Sequence, residues 1–252
     1  MAVFKREQIQ GWFEELKAGE ISPDHMVQGE FGEQTLLHAL LNSEIPKSKQ
    51  FWYLKQFIEE GCDVDKFASF STPISLAASG VASGVNNISL VEYMLEYHQK
   101  GHRSDLNIIK AAVDSLDVGM FEAVLESGKI DTNVTQMGSH ILHHLADVEG
   151  YDDTIKKLFE LAQDTNPNPI HRNGASPLTI ALNAGMEKNA LQLAVFGGKI
   201  IGRLEAAILA IDLGMVSDYD GEFWNDFPET LGYALENGSD EIPEEIKDVF
   251  LF

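Results

Sequence analysis

The chain has 252 residues, 44% of them hydrophobic, enough to fill one large core or two small ones. Its 40 acidic residues against 18 basic ones give a net charge of −22, which opposes binding to nucleic acid or an anionic membrane and favours encounters with cationic partners. The single cysteine, Cys62, excludes an intramolecular disulfide and a cysteine-built metal site, and no run of about eighteen apolar residues could span a membrane. The opening stretch MAVFKREQIQGWFEELKAGE lacks the apolar core of a signal peptide, so a reducing, cytoplasmic setting is expected. Acidic side chains also keep proteins dispersed, so the charge has a solubility reading beside the functional one.

In chain order, residues 4–18 put Ile9, Trp12, Phe13 and Leu16 on one helical face and predict a capping helix within 1–28. A block then recurs. It reads Thr35-Leu36-Leu37-His38-Ala39-Leu40, then Thr72-Pro73-Ile74-Ser75-Leu76-Ala77-Ala78, then His140-Ile141-Leu142-His143-His144-Leu145-Ala146, then Ser176-Pro177-Leu178-Thr179-Ile180-Ala181. The steps between the starting positions are 37, 68 and 36 residues, and 68 is twice 34. A further copy is therefore expected at Leu106, where Leu106-Asn107-Ile108-Ile109-Lys110-Ala111-Ala112 keeps the apolar residues but lacks Thr-Pro.

A second block follows each first one. Its apolar residues are Leu54, Phe57 and Ile58; Val91, Met94 and Leu95; Phe121, Val124 and Leu125; Ile155, Leu158 and Phe159; and Ala190, Leu193 and Ala194. Spacing of i, i+3 and i+4 makes one helix face, and Gly61, Gly128 and Gly197 just past the ends supply left-handed caps. Each unit is thus predicted to be two short helices, a turn between them, and a polar connector. Thr72 or Ser176 caps the first helix, Pro73 or Pro177 occupies its first turn, and small alanines let neighbours approach.

Over residues 29–200 this pattern resembles the ankyrin repeat, whose signature is a turn followed by Thr-Pro-Leu-His-x-Ala and a paired second helix. The resemblance implies an all-α solenoid of five to six stacked units, with little sheet beyond hairpin tips and divergent caps at 1–28 and 201–252. It also implies a binding module rather than an enzyme, using finger tips and a concave helix face. Carried onto this sequence, the tips hold Phe31, then Phe67 and Phe70, then Met137, then Arg172 and Asn173. In the C-terminal segment, Phe223 and Trp224 stand among Asp220, Glu222 and Asp226, an aromatic anchor in an acidic rim or a core filler under the cap. From Asp218 to Asp248 eleven acids face Lys247 alone.

Sharper chemistry has few candidates. His140, His143 and His144, followed by Asp147, have a spacing that zinc could use on a helix. The resemblance gives them another job, since His143 and His38 fall where the family's histidine braces the hairpin turn. Cys62 follows a helix C-terminus, where the dipole disfavours a thiolate. No phosphate-binding glycine loop or nucleophile elbow occurs, and the basic clusters Lys5-Arg6 and Lys47-Ser48-Lys49 are too small for a polyanion. The expectation is a cofactor-free protein, monomeric when unbound, that recognises a basic protein and neutralises it as an inhibitor or immunity protein does. The alternative is an adaptor or secreted effector docking on a cellular protein, and last a metal-dependent enzyme built on the three histidines.

Overall fold

The computed structural model describes residues 4–29, 32–80, 88–172 and 175–201. The C-terminal segment 202–252, with the cap expected there, lies outside the described residues. The described chain is mostly helical, with eleven helices and one two-stranded hairpin, and none of these helices is long and apolar enough to cross a membrane. It forms two compact units, Met1–Val134 and Thr135–Phe252.

The first unit opens with α1 (Arg6–Lys17), whose Ile9, Phe13 and Leu16 are buried as the periodicity requires. The hairpin β1 (Met26–Gly29) and β2 (Gly32–Thr35) follows, with Met26 opposite Thr35 and Gly29 opposite Gly32. Then come three helix pairs: α2 (Leu36–Leu41) with α3 (Lys47–Glu59), α4 (Pro73–Ala78) with α5 (Ile88–Leu95), and α6 (Asp105–Asp114) with α7 (Val118–Glu126). In each pair the two helices pack on one another. The first helices also pack in a row, α2 on α4 and α4 on α6, and α5 packs on α7. The copy expected at Leu106 is therefore a genuine helix in the same row.

The second unit repeats the arrangement with α8 (Ile141–Ala146) on α9 (Asp152–Leu161) and α10 (Pro177–Asn183) on α11 (Glu187–Val195). Here α8 packs on α10 and α9 on α11.

Local chemistry sets the helix starts. Thr72 Oγ1 accepts the Ser75 N–H at 3.2 Å and Ser176 Oγ accepts the Thr179 N–H at 3.2 Å, with Pro73 and Pro177 in the first turn. Thr35 does the same for α2 through the His38 N–H. At α6 the cap is lost, because Ser104 Oγ is turned away to donate to Asp65. The expected glycines Gly61, Gly128 and Gly197 end their helices at φ 96°, 64° and 85°.

Two further tight hairpins close the connectors, with Ala68 paired to Ser71 and Gln136 to Ser139. Gly138 in the second is doubly constrained. Its φ is +74°, and a Cβ there would lie 2.8 Å from Arg172 Cβ and 3.1 Å from Arg172 N. Gly185 has a similar φ of +70° with open space around it. Gly185→Ala is therefore expected to cost only the left-handed penalty, about 1 kcal/mol, and Gly138→Ala roughly 2–4 kcal/mol in all. Urea unfolding of both variants measures the difference; equal losses would mean that the Arg172 contact does not constrain the tip.

Candidate functional site

The hairpin at Ala68–Ser71 is built in an unusual way. Ser69 (φ 47°) and Phe70 (φ 70°) both occupy the left-handed region, the backbone of a type I′ turn that Asn-Gly would normally fill. A phenylalanine there costs on the order of 1 kcal/mol or more. The tip is nevertheless held firmly: Ala68 and Ser71 exchange both backbone hydrogen bonds, at 2.9 and 3.0 Å, and Ser69 Oγ donates to the Glu33 carbonyl at 2.7 Å. Phe70 is 87% exposed and Phe67, three residues before it, 48%. Neither ring folds back into the core.

In the second unit the Gln136–Ser139 hairpin carries Met137 (φ 53°) beside Gly138, and Met137 is 84% exposed. Exposed Arg172 lies against this tip, its N–H donating to the Gly138 carbonyl at 3.1 Å. Of the sequence-derived tip residues, Phe70 sits on the first of these hairpins with Phe67 just before it, and Arg172 lies against the second, which carries Met137. Phe31, Asn173, Asp220, Glu222, Phe223, Trp224 and Asp226 lie outside the described residues.

The three histidines of α8 are divided between different environments. His140 caps the helix, its Nδ1 accepting the Leu142 N–H at 3.1 Å. His143 Nδ1 accepts the His140 N–H at 3.1 Å and its Nε2 donates to the Pro169 carbonyl at 2.9 Å, so both of its ring nitrogens are engaged. Burial holds the His143 imidazole below its ordinary pKa and therefore neutral. His144 is half-buried beside the Tyr151 ring. Among the described residues no group of three His, Cys, Asp or Glu side chains is arranged to hold a metal. His38, the counterpart in the first unit, sits with Nδ1 2.8 Å from Thr35 Oγ1, and burial pushes it down to about 4. Cys62 is buried and pushed up to about 12, by burial first and then by Asp24 and Glu60, so it is a thiol and a poor nucleophile.

Sequence reasoning missed the main buried polar cluster. His98, 5% exposed, lies between two carboxylates: Nδ1 is 2.7 Å from Asp65 Oδ1 and Nε2 is 2.6 Å from Asp105 Oδ1. Ser104 Oγ donates to Asp65 Oδ1 at 2.9 Å, and the Gly101 and Asp131 N–H groups donate to Asp105 Oδ2 at 2.9 and 2.7 Å. Two carboxylates outweigh the cost of burying the imidazolium and raise His98 to about 9. The same contacts hold Asp65 below its ordinary range. The cluster is largely buried, with the Asp65 side chain 10% exposed, and it ties the Asp65 connector, the α5–α6 turn and the Asp131 connector together. No local signal marks it, since His98 and Asp65 are 33 residues apart.

Also missed were Leu116 in the α6–α7 turn and Val118 at the start of α7, 82% and 60% exposed, with Leu116 at φ 57° in the place other helix ends give to glycine. The absent glycine was the available signal. No known family's model matches the chain, and no curated protein matches it. What the described geometry offers is a set of presented side chains on anchored tips, with its buried histidines and its cysteine committed to the fold.

Because His98 binds its proton more tightly in the folded chain, its stabilisation is complete below about pH 6.5 and is lost as pH rises through about 9. Thermal melts should therefore show a fall in stability of a few kcal/mol over that window. His98→Gln, less stable overall, should flatten that fall; an unchanged slope in the variant would show that His98 is not its source.

Proposed function

We propose that the chain is a non-catalytic protein-binding module of ankyrin-repeat type, built from five to six helix-pair units, whose hairpin tips dock on a basic protein and neutralise it. The observation that carries this reading is Phe70, an aromatic ring 87% exposed and held in a conformation that the fold would fill better with glycine or asparagine. A residue that weakens the fold and touches no core is explained by what it contacts outside. Met137 repeats the situation on the Gln136–Ser139 hairpin.

Several features support the ankyrin-type assignment. The first helices begin at Thr72-Pro73 and Ser176-Pro177 caps, they pack in rows, and His143 reaches from its helix to the connector carbonyl of Pro169. The charge of −22 supports a cationic partner, because a strong acidic field accelerates encounter with a basic protein more than it tightens the final complex. Aromatic tips then supply the desolvated contacts that the field cannot. A single buried thiol fits a reducing, cytoplasmic setting, and the module works as a monomer until it meets its partner.

Phe70→Asn separates binding from folding. Asparagine tolerates the left-handed region, so the variant should melt at the same or a higher temperature than the parent. Its capture of the partner in pull-downs from the native cell should fall by at least about tenfold, the loss expected of an anchor residue. Association of the parent with the captured protein should slow steeply as salt is raised. Undiminished capture by Phe70→Asn would remove the tip from the interface, and a salt-independent on-rate would remove the basic partner.

A further inference from the structure

Along α3 and the end of α5 in the first unit runs a line of aromatic rings that begins at the buried Phe13 of α1 and continues into solvent. Phe13 of α1 meets Trp52 of α3 edge-on at 5.6 Å, and Phe51, next to Trp52 in sequence, meets Tyr93 of α5 at 5.8 Å. Tyr93 in turn meets Tyr97 at 5.3 Å, their hydroxyls 3.0 Å apart. Trp52 is 51% and Tyr97 47% exposed, so both present ring surface to solvent.

The run already binds cations within the chain. Lys55 Nζ stands 4.5 Å from the Phe51 ring centre and 5.0 Å from that of Tyr93, and Lys17 Nζ stands 5.9 Å from Phe13. The surrounding charge is acidic. Glu59 and Glu96 lie close enough to act on the Tyr93 phenol, and both are exposed, as is Glu92. An open aromatic face beside carboxylates matches the two demands of a guanidinium, a flat surface to stack on and oxygens to accept its N–H groups.

We propose that the face formed by α3, α5 and the turn after α5 is a second docking surface, which takes arginine side chains of a basic polypeptide on Tyr97 and Trp52 with the neighbouring glutamates. The proposal rests on the reading of the chain as a binder of basic proteins, but it names a surface on the helices, not on the tips. Lys55 occupies the Phe51–Tyr93 clamp, which leaves Tyr97 and Trp52 as the rings open to a partner.

The test uses a fluorescent octa-arginine peptide as probe and reads its anisotropy on titration with the full chain. A diffuse attraction to net charge would be unaffected by neutral substitutions, whereas stacking would not. Trp52→Leu combined with Tyr97→Leu keeps every charge and should weaken binding about tenfold, the loss of two cation–π contacts. Tyr97→Phe keeps the ring face and should bind like the parent, which guards against a mere folding defect in the leucine variant. Equal affinity of the double leucine variant and the parent would overturn the proposal, as would an equal loss in Tyr97→Phe. Phe70→Asn should leave the peptide affinity unchanged; if it alone weakened binding, the tips and not this face would be the arginine site.

Discussion

A helix of six residues cannot hold itself together in water, and the fold is organised around that fact. Helix nucleation is so costly that isolated helices shorter than about 12–15 residues are marginal at best. Yet α2, α4 and α8 have six residues each. Each survives because nearly all of it is removed from solvent: every residue of α2, Leu36 to Leu41, is buried. A helix buried all round has no free face for polar groups, so its ends must be satisfied by its own side chains. That is why Thr35, Thr72, His140 and Ser176 recur at the starts, and why three of these four are themselves almost fully buried hydroxyls. Burial on every side also demands small residues where two helices touch, and Ala39, Ala77, Ala112, Ala146 and Ala181 are each fully buried.

The same constraint decides how much of the molecule was legible in its sequence. Whatever recurs from one helix pair to the next leaves a periodic trace in the sequence. The caps, the alanines, the helix-ending glycines and the bracing role of His143 were all readable for that reason, as was the helix at Leu106 despite its missing Thr-Pro. Side chains that solve a problem at one place only leave no such trace. His98, Asp65 and Asp105 form one cluster across 33 and 7 residues of separation, and each alone resembles an ordinary polar loop residue. Asn189 is a similar case: its Nδ2 donates to the Leu145 carbonyl at 2.9 Å and the Val148 carbonyl at 2.7 Å, closing the end of α8 from 44 and 41 residues away. The bond of Ser104 Oγ to Asp65 Oδ1, 39 residues away, leaves no local trace for the same reason.

These one-off clusters appear where periodic packing leaves polar backbone stranded. A connector must present N–H groups as it leaves a helix, and those that fall inside the protein need an acceptor. Asp105 Oδ2 supplies one to the N–H groups of both Gly101 and Asp131, but a buried carboxylate is tolerable only with a cation beside it. His98 is that cation, and Asp65 on its other side completes the pairing. The cluster therefore substitutes an ionic joint for the hydroxyl cap that the first helices of other units use. It joins connectors that a serine cap would leave separate, at the expense of sensitivity to alkaline pH.

Tight connectors are what make costly tips possible. A left-handed phenylalanine persists only when the surroundings over-determine the turn, and the Ala68–Ser71 pair with the Ser69 bond to Glu33 does so. The tip's backbone is thus held while its ring is exposed, so in the proposed binding role the backbone would lose little conformational entropy on docking. Acidic charge alone could not achieve specificity, because a field of one sign attracts every basic surface equally. In the proposed binding role, exposed rings on anchored tips supply the shape that charge lacks. Placing them on short hairpins would separate the two demands of that proposed role, since the packed helices carry stability and the connectors present the rings.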